Sequence, residues 1–110
     1  MSTMEFCPGI YEHAAALIGR SPWEVSRSPE LLVEAHHTAW KRYGHRLVVV
    51  GIDVYNVEPE ALGAEIGEPP GNNVPAIAGH PLEELGDLTN LPAFNAQAGR
   101  FPMILDAART

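Results

Sequence analysis

The sequence lacks the features of a secreted or membrane-bound chain. Its one cysteine, Cys7, excludes an intramolecular disulfide framework. The longest apolar run is far too short to span a bilayer, and residues 1–20 have neither the basic start nor the apolar core of a signal peptide. We therefore expect a cytoplasmic location, where thiols stay reduced.

Basic residues are also scarce. Seven Lys and Arg stand against 14 Asp and Glu, which gives a formal net charge of −7. Nucleic acids and anionic membrane surfaces require a basic patch, so this balance argues against both as partners. With 110 residues the chain can form one domain with a modest core.

The most informative stretch begins with an unbroken aliphatic run, Leu47 to Val50. A run without polar alternation is typical of a strand that is covered on both faces, so we predict a buried strand over 46–52. A polar cluster follows directly: Asp53, Tyr55, Asn56 and Glu58. In parallel α/β folds, ligands bind at the loops after the carboxyl ends of the strands.

Capping signals predict several helices. Ser21, Pro22 and Glu24 have the pattern of a capping box, and the same Ser-Pro start recurs at Ser28 before the clearest helix, which Gly44 ends. Further helices are expected over 11–18, 59–64 and 101–109, with a helical turn at 81–85 and a loop or extended connector at 68–79.

This map contains several helices but only one convincing strand. A buried strand needs neighbours on both edges. We therefore predict that residues 1–110 are the beginning of a larger α/β fold, cut after its first strand-helix unit. Strand 46–52 is then expected to pair with strands from another chain, another segment or another copy of this chain.

Sequence blocks along nearly the whole chain resemble the N-terminal part of the uroporphyrinogen decarboxylase superfamily, within its corrinoid and coenzyme M methyltransferase-like branch. The most specific block is IDVYNVEPEALGAEI; YEHAAALIG and GRFPMILDAART are similar to helices of the family. The resemblance implies N-terminal helices and the first strand-helix unit of a TIM (β/α)8 barrel, a fold that typically needs about 250 residues.

The resemblance also implies an activity, cofactors and partners. Methyltransferases of this superfamily activate a thiol with a zinc site of His and Cys residues, which lies downstream of the region matched here, and they work with a corrinoid protein. The remainder of the barrel, as a second chain or segment, is the implied partner. We expect the isolated chain to be inactive and to bind no cofactor alone.

Two alternatives stay open. The decarboxylase branch holds substrate carboxylates with an arginine pair, of which only Gly19-Arg20 has a counterpart here, and its strand-end aspartate matches Asp53. The second alternative is that the chain is a truncated, non-catalytic module for interaction or regulation.

The polar cluster permits two interpretations of each residue. Asp53 caps the next turn or faces a ligand, and Tyr55 with Asn56 lines a pocket or forms an Asx turn. Glu58 and Glu60 share acid-base work or act as partners of a helix dipole. We predict that Asp53, Tyr55, Asn56 and Glu58 bind substrate at the mouth of the barrel.

The histidines do not form a metal-binding pattern. His36 and His37 are adjacent on a helix and point about 100° apart, whereas helical ligands sit three or four residues apart. His13 is expected on a helix surface or in the core, and nothing near Cys7 predicts a reactive thiol. We therefore predict no metal site and no catalytic residue within this chain.

Overall fold

The computed structural model describes residues 4–110, and three helices form its N-terminal part. They are α1 (Glu12–Leu17), α2 (Pro22–Ser26) and α3 (Pro29–Tyr43). The starts of α2 and α3 follow the predicted caps. The Ser21 hydroxyl accepts a hydrogen bond from the Glu24 amide at 3.2 Å, and the Glu24 carboxylate accepts one from the Ser21 amide at 2.9 Å.

The longest of these helices has both of its predicted ends. The Ser28 hydroxyl accepts a hydrogen bond from the Leu31 amide at 3.2 Å, which satisfies one of the free donors of the first turn. Gly44 ends the helix in the left-handed conformation, with φ of 64°. Lys41 and Arg42 lie in its last turn, where positive charge favours the helix dipole.

The core lies between these helices and two later parts of the chain. Its members are buried aliphatic side chains, and most are small, which lets the helices approach closely: Ala14, Ala15, Val25, Leu32, Ala35, Ile52 and Ala107. Full burial of a residue such as Leu32 or Ile52 contributes about 1.5 to 3 kcal/mol. The C-terminal helix α5 (Phe101–Arg109) packs on α3 and supplies Ala107.

The buried strand predicted over 46–52 is not formed within the described residues. Among residues 4–110, no backbone hydrogen bond joins residues 47–50 to another segment in a ladder, and Leu47, Val48 and Val49 are 40–49% exposed. An aliphatic run forms a covered strand only where other strands lie beside it, and the expected partners of this run are strands of another chain, segment or copy, so its burial stays a prediction. Only the end of the run is buried, at Gly51 and Ile52.

The one sheet of the described residues is a short hairpin. Strand β1 (Glu65–Gly67) pairs antiparallel with β2 (Ala76–Gly79), and Ile66 lies opposite Ile77. The end of segment 68–79, predicted as a loop or extended connector, is therefore a strand. With the helices, this hairpin gives an α/β fold.

Two other predicted elements are displaced. The helix expected over 59–64 is α4 (Val57–Ala61), which a 3₁₀ turn (Val54–Asn56) precedes. The helical turn expected at 81–85 is instead a 3₁₀ helix, Leu85–Asn90. No helix within residues 4–110 is both long enough and apolar enough to cross a membrane.

Candidate functional site

The candidate site is the turn that follows Ile52. Asp53 has φ 54° and ψ 47°, the left-handed conformation that few residues other than glycine adopt. Its side chain is completely buried. Aspartate tolerates this conformation better than most residues, yet the position stores backbone strain that the surrounding contacts must hold.

Three neighbours hold Asp53 in place. The Asn56 side-chain amide donates to Asp53 Oδ1 at 2.6 Å, and Arg100 donates to Oδ2 at 3.1 Å. The Asp53 amide donates to the Glu12 carboxylate of α1 at 3.1 Å. Burial raises the pKa of the Asp53 carboxyl, while the Asn56 hydrogen bond and the charge of Arg100 act in the opposite direction.

Arg100 is the centre of this arrangement. Its side chain is 5% exposed, and its guanidinium donates to the Ile52 carbonyl, the Asp53 carbonyl, the Asp53 carboxylate and the Glu60 carboxylate. Arg100 was not among the residues predicted from the sequence. The one sequence signal for its role was its position at the start of the block GRFPMILDAART, directly before α5.

Glu60 of α4 connects Arg100 to a second arginine. Its Oε2 accepts from Arg100 Nε at 2.6 Å, and its Oε1 accepts from Arg27 at the end of α2. The Arg27 guanidinium also lies 4.4 Å from the centre of the Trp23 ring, a cation–π distance. Glu60 therefore pairs with two arginines across three elements.

Asn56 connects the turn to the hairpin. Besides its bond to Asp53, its amide donates to the Pro75 carbonyl at 2.9 Å, directly before β2. Asn56 is 7% exposed, so both acceptors meet a donor away from water. The turn, the hairpin and the start of α5 are thus fixed to one another by side-chain hydrogen bonds.

The four predicted site residues divide into two pairs. Asp53 and Asn56 are buried and bonded to each other. Tyr55 is 70% exposed, and Glu58 also faces solvent. Glu58 lines two neighbouring surface cavities of about 210 Å³ and 340 Å³, whose walls are mainly apolar and include Leu62 in both. Glu58 and Glu60 thus have different surroundings: Glu58 lines these surface cavities, whereas the Glu60 carboxylate pairs with two arginines.

The histidines have separate roles. His36 is buried, and its Nε2 accepts a hydrogen bond from the Gly51 amide at 3.0 Å, while His37 stacks on Trp40. His13 Nε2 lies 2.6 Å from the Tyr43 hydroxyl. Burial lowers the pKa of His36. Within residues 4–110, no three His, Cys, Asp or Glu side chains are grouped as ligands for a metal ion.

Comparisons with known proteins give a family. The model of the uroporphyrinogen decarboxylase (URO-D) family matches residues 8–110. A solved methyltransferase from Methanosarcina mazei superimposes with a TM-score of 0.75 at 28% sequence identity, and the match covers 97% of this chain and 32% of that one. This chain therefore spans about a third of the length of that methyltransferase. A search of curated proteins found no match. Because the family match extends over nearly the whole sequence, the chain belongs to the uroporphyrinogen decarboxylase family.

Proposed function

We propose that this chain is the N-terminal portion, or a small subunit, of a methyltransferase of the uroporphyrinogen decarboxylase family that takes methyl groups from a corrinoid. The observation that carries the proposal is the similarity of 97% of the chain to a methyltransferase, at a TM-score of 0.75. The remaining strands of a TIM barrel would cover Leu47, Val48 and Val49, whose exposure in the described residues is unusual for adjacent aliphatic side chains.

In this enzyme the turn after Ile52 would lie at the mouth of the barrel, where (β/α)8 enzymes bind substrates. We assign direct contact with the substrate to Tyr55 and Glu58, which are exposed. Asp53 and Asn56 would fix the path of the turn, since their side chains are bonded to Arg100, Pro75 and each other. The substrate-binding role of all four residues is part of the proposal.

A thiol-activating zinc ion does not fit the residues described here. The Cys7 thiol contacts the Leu47 carbonyl, and the His36 ring accepts from Gly51, so these groups do not converge. Zinc sites need about four ligands in tetrahedral order. In the proposed enzyme, the residues that hold zinc and contact a corrinoid protein would belong to the remainder of the barrel.

Coexpression with the product of the adjacent reading frame in the source genome tests the proposal. The expected result is a stable complex that transfers methyl groups from methylcobalamin to a thiol such as coenzyme M, while this chain alone does not. Mass spectrometry detects the methylated thiol, and absorbance follows the consumption of methylcobalamin. A complex that forms but transfers no methyl group would contradict the methyltransferase assignment, and the absence of any complex would contradict the small-subunit form of the proposal.

The same experiment separates two other functions. Uroporphyrinogen consumption by the complex would favour the decarboxylase. The complete burial of the Asp53 side chain under Arg100 and Asn56 argues against a catalytic use of Asp53 by such a decarboxylase. A complex that is stable but inactive with both substrates would favour the interaction module, which the exposed Leu47–Val49 face also suits.

A further inference from the structure

Positive and negative charges are separated along this chain. Between Arg46 and Arg100 the sequence has no lysine or arginine but eight acidic residues: Asp53, Glu58, Glu60, Glu65, Glu68, Glu83, Glu84 and Asp87. Asp53 and Glu60 are neutralised by arginines. Within residues 4–110, none of the other six forms an ion pair.

We call residues 62–95, which contain the hairpin and the 3₁₀ helix, the arm. Apart from its carboxylates, the arm exposes large apolar side chains, above all Leu85 at 86% and Phe94 at 77%. Ile77 of β2 and Leu88 are also exposed. Several exposed large apolar side chains among charges of one sign are more typical of a protein interface than of an ordinary solvent face.

A surface of opposite charge lies at the end of α3, before the 47–50 segment. Lys41 and Arg42 are exposed there and, within the described residues, form no ion pair. Tyr43 is exposed beside them, and the Arg42 guanidinium lies 5.9 Å from the centre of the Tyr43 ring. We call Lys41–Tyr43 the basic end. Aromatic residues and arginine are the types that most often dominate binding energy at interfaces.

We propose that the arm of one copy of this chain docks on the basic end of a second copy. Charge complementarity decides the occupant. Two arms cannot pair with each other, because carboxylates would then face carboxylates. The apolar side chains of both surfaces would be covered in the same contact, Phe94 and Leu85 on one side and Tyr43 on the other.

The contact is heterologous, since it joins two different surfaces. Such contacts produce rings or open chains of molecules rather than dimers that close on themselves. The molecule is elongated, with extents of 53 × 37 × 23 Å, and the 47–52 segment separates the two surfaces along the sequence.

The net charge of −7 opposes association at long range, but salt screens that repulsion beyond about 8 to 10 Å at physiological ionic strength, whereas charge pairs in contact persist.

Sedimentation velocity of the full chain from about 1 μM to about 1 mM tests the contact. The expected result is a sedimentation coefficient that rises with concentration past the value of a dimer. Raising the salt from about 0.1 M to about 1 M should weaken association at least about tenfold, because the screening length falls from about 10 Å to about 3 Å. A chain that stays monomeric throughout, or that stops at a dimer, would overturn the proposal.

Charge-removing variants identify the surfaces. Lys41→Gln with Arg42→Gln, and Glu68→Gln with Glu83→Gln, should each weaken self-association at least about tenfold. Mixing the two variants should restore association, but only to a heterodimer, because one intact complementary pair of surfaces then remains. The matched control is Glu30→Gln with Glu34→Gln on α3, which changes the net charge as the arm variant does and should not weaken association.

Each outcome of the mixing experiment is decisive once circular dichroism shows that both variants are folded. Recovery in the mixture supports the contact, and failure to recover overturns it. If one double variant does not fold, the salt dependence and the other double variant still decide. The result is independent of the methyltransferase proposal, because the contact leaves residues 47–49 free to meet the rest of a barrel.

Discussion

Arg100 contacts both the main chain and the side chain of Asp53. One terminal nitrogen of the guanidinium lies 3.1 Å from the Asp53 carbonyl oxygen and 3.1 Å from Oδ2. The two residues are 47 positions apart in the sequence. This pair attaches the start of α5 to the strained turn after Ile52. The conformation of the turn therefore depends on a side chain that is distant in the sequence.

Arg100→Met should therefore destabilise the chain strongly. The substitution keeps an apolar stem of similar length but leaves the buried Asp53 carboxylate without its counter-charge, and such a loss typically costs about 3 to 5 kcal/mol. Urea denaturation followed by circular dichroism measures the free energy of unfolding. Arg109→Met is the matched control, since the Arg109–Asp106 pair is exposed and contributes at most about 1 kcal/mol. Equal effects of the two substitutions would contradict the assigned role of Arg100.

The Asp53 side chain can be separated from its backbone conformation. Asp53→Asn keeps the shape of the side chain and its tolerance of a left-handed φ. Asp53→Ala removes the hydrogen-bond partner of Asn56 and leaves an alanine in a strained backbone conformation. We expect Asp53→Ala to lower the free energy of unfolding more than Asp53→Asn, by about 1 to 3 kcal/mol. Equal losses for the two variants would show that the charge, which both substitutions remove, matters more than the turn geometry.

The helices were predictable from sequence because their determinants are local. Ser21 and Ser28 lie three residues from the amides that they cap, and Gly44 directly follows the helix that it ends. The Arg100–Asp53 pair was not predictable, because no short-range pattern relates residues 47 positions apart. The segment 47–50 was predicted as a buried strand from its composition, yet burial depends on neighbours that its own sequence does not specify.

The stability of the chain should fall on acidification below about pH 6.5, the ordinary pKa of histidine. Burial lowers the pKa of His36 in the folded chain, and nearby His45 contributes to the lowering. The unfolded chain therefore binds the proton more readily, so stability is full above about pH 6.5 and is lost as the pH falls towards the lower folded pKa. Protonation would also set an N–H group against the Gly51 amide that now donates to Nε2.

His36→Gln is the variant that tests this pH dependence. Its side-chain oxygen can accept the Gly51 hydrogen bond, but the side chain does not titrate. Thermal melts between about pH 5 and pH 8 should show a smaller pH dependence for the variant than for the parent chain. His37→Gln is the control, because His37 stacks on Trp40 at the surface and should leave the parent profile unchanged. An unchanged profile in His36→Gln would assign the pH dependence to other groups.

Substitutions of Glu58 and Tyr55 should leave the stability of the chain nearly unchanged, in contrast to substitutions of Arg100 and Asp53. Both are exposed, so Glu58→Gln and Tyr55→Phe should change the free energy of unfolding by less than about 0.5 kcal/mol. In the active complex that we propose, the same substitutions should lower kcat/KM, since these side chains are assigned to the substrate. Glu68→Gln, on the loop of the hairpin, is the matched control with no expected effect on either quantity. Full activity of both site variants would exclude direct substrate contact at this turn, whereas a loss of activity with unchanged stability would support it.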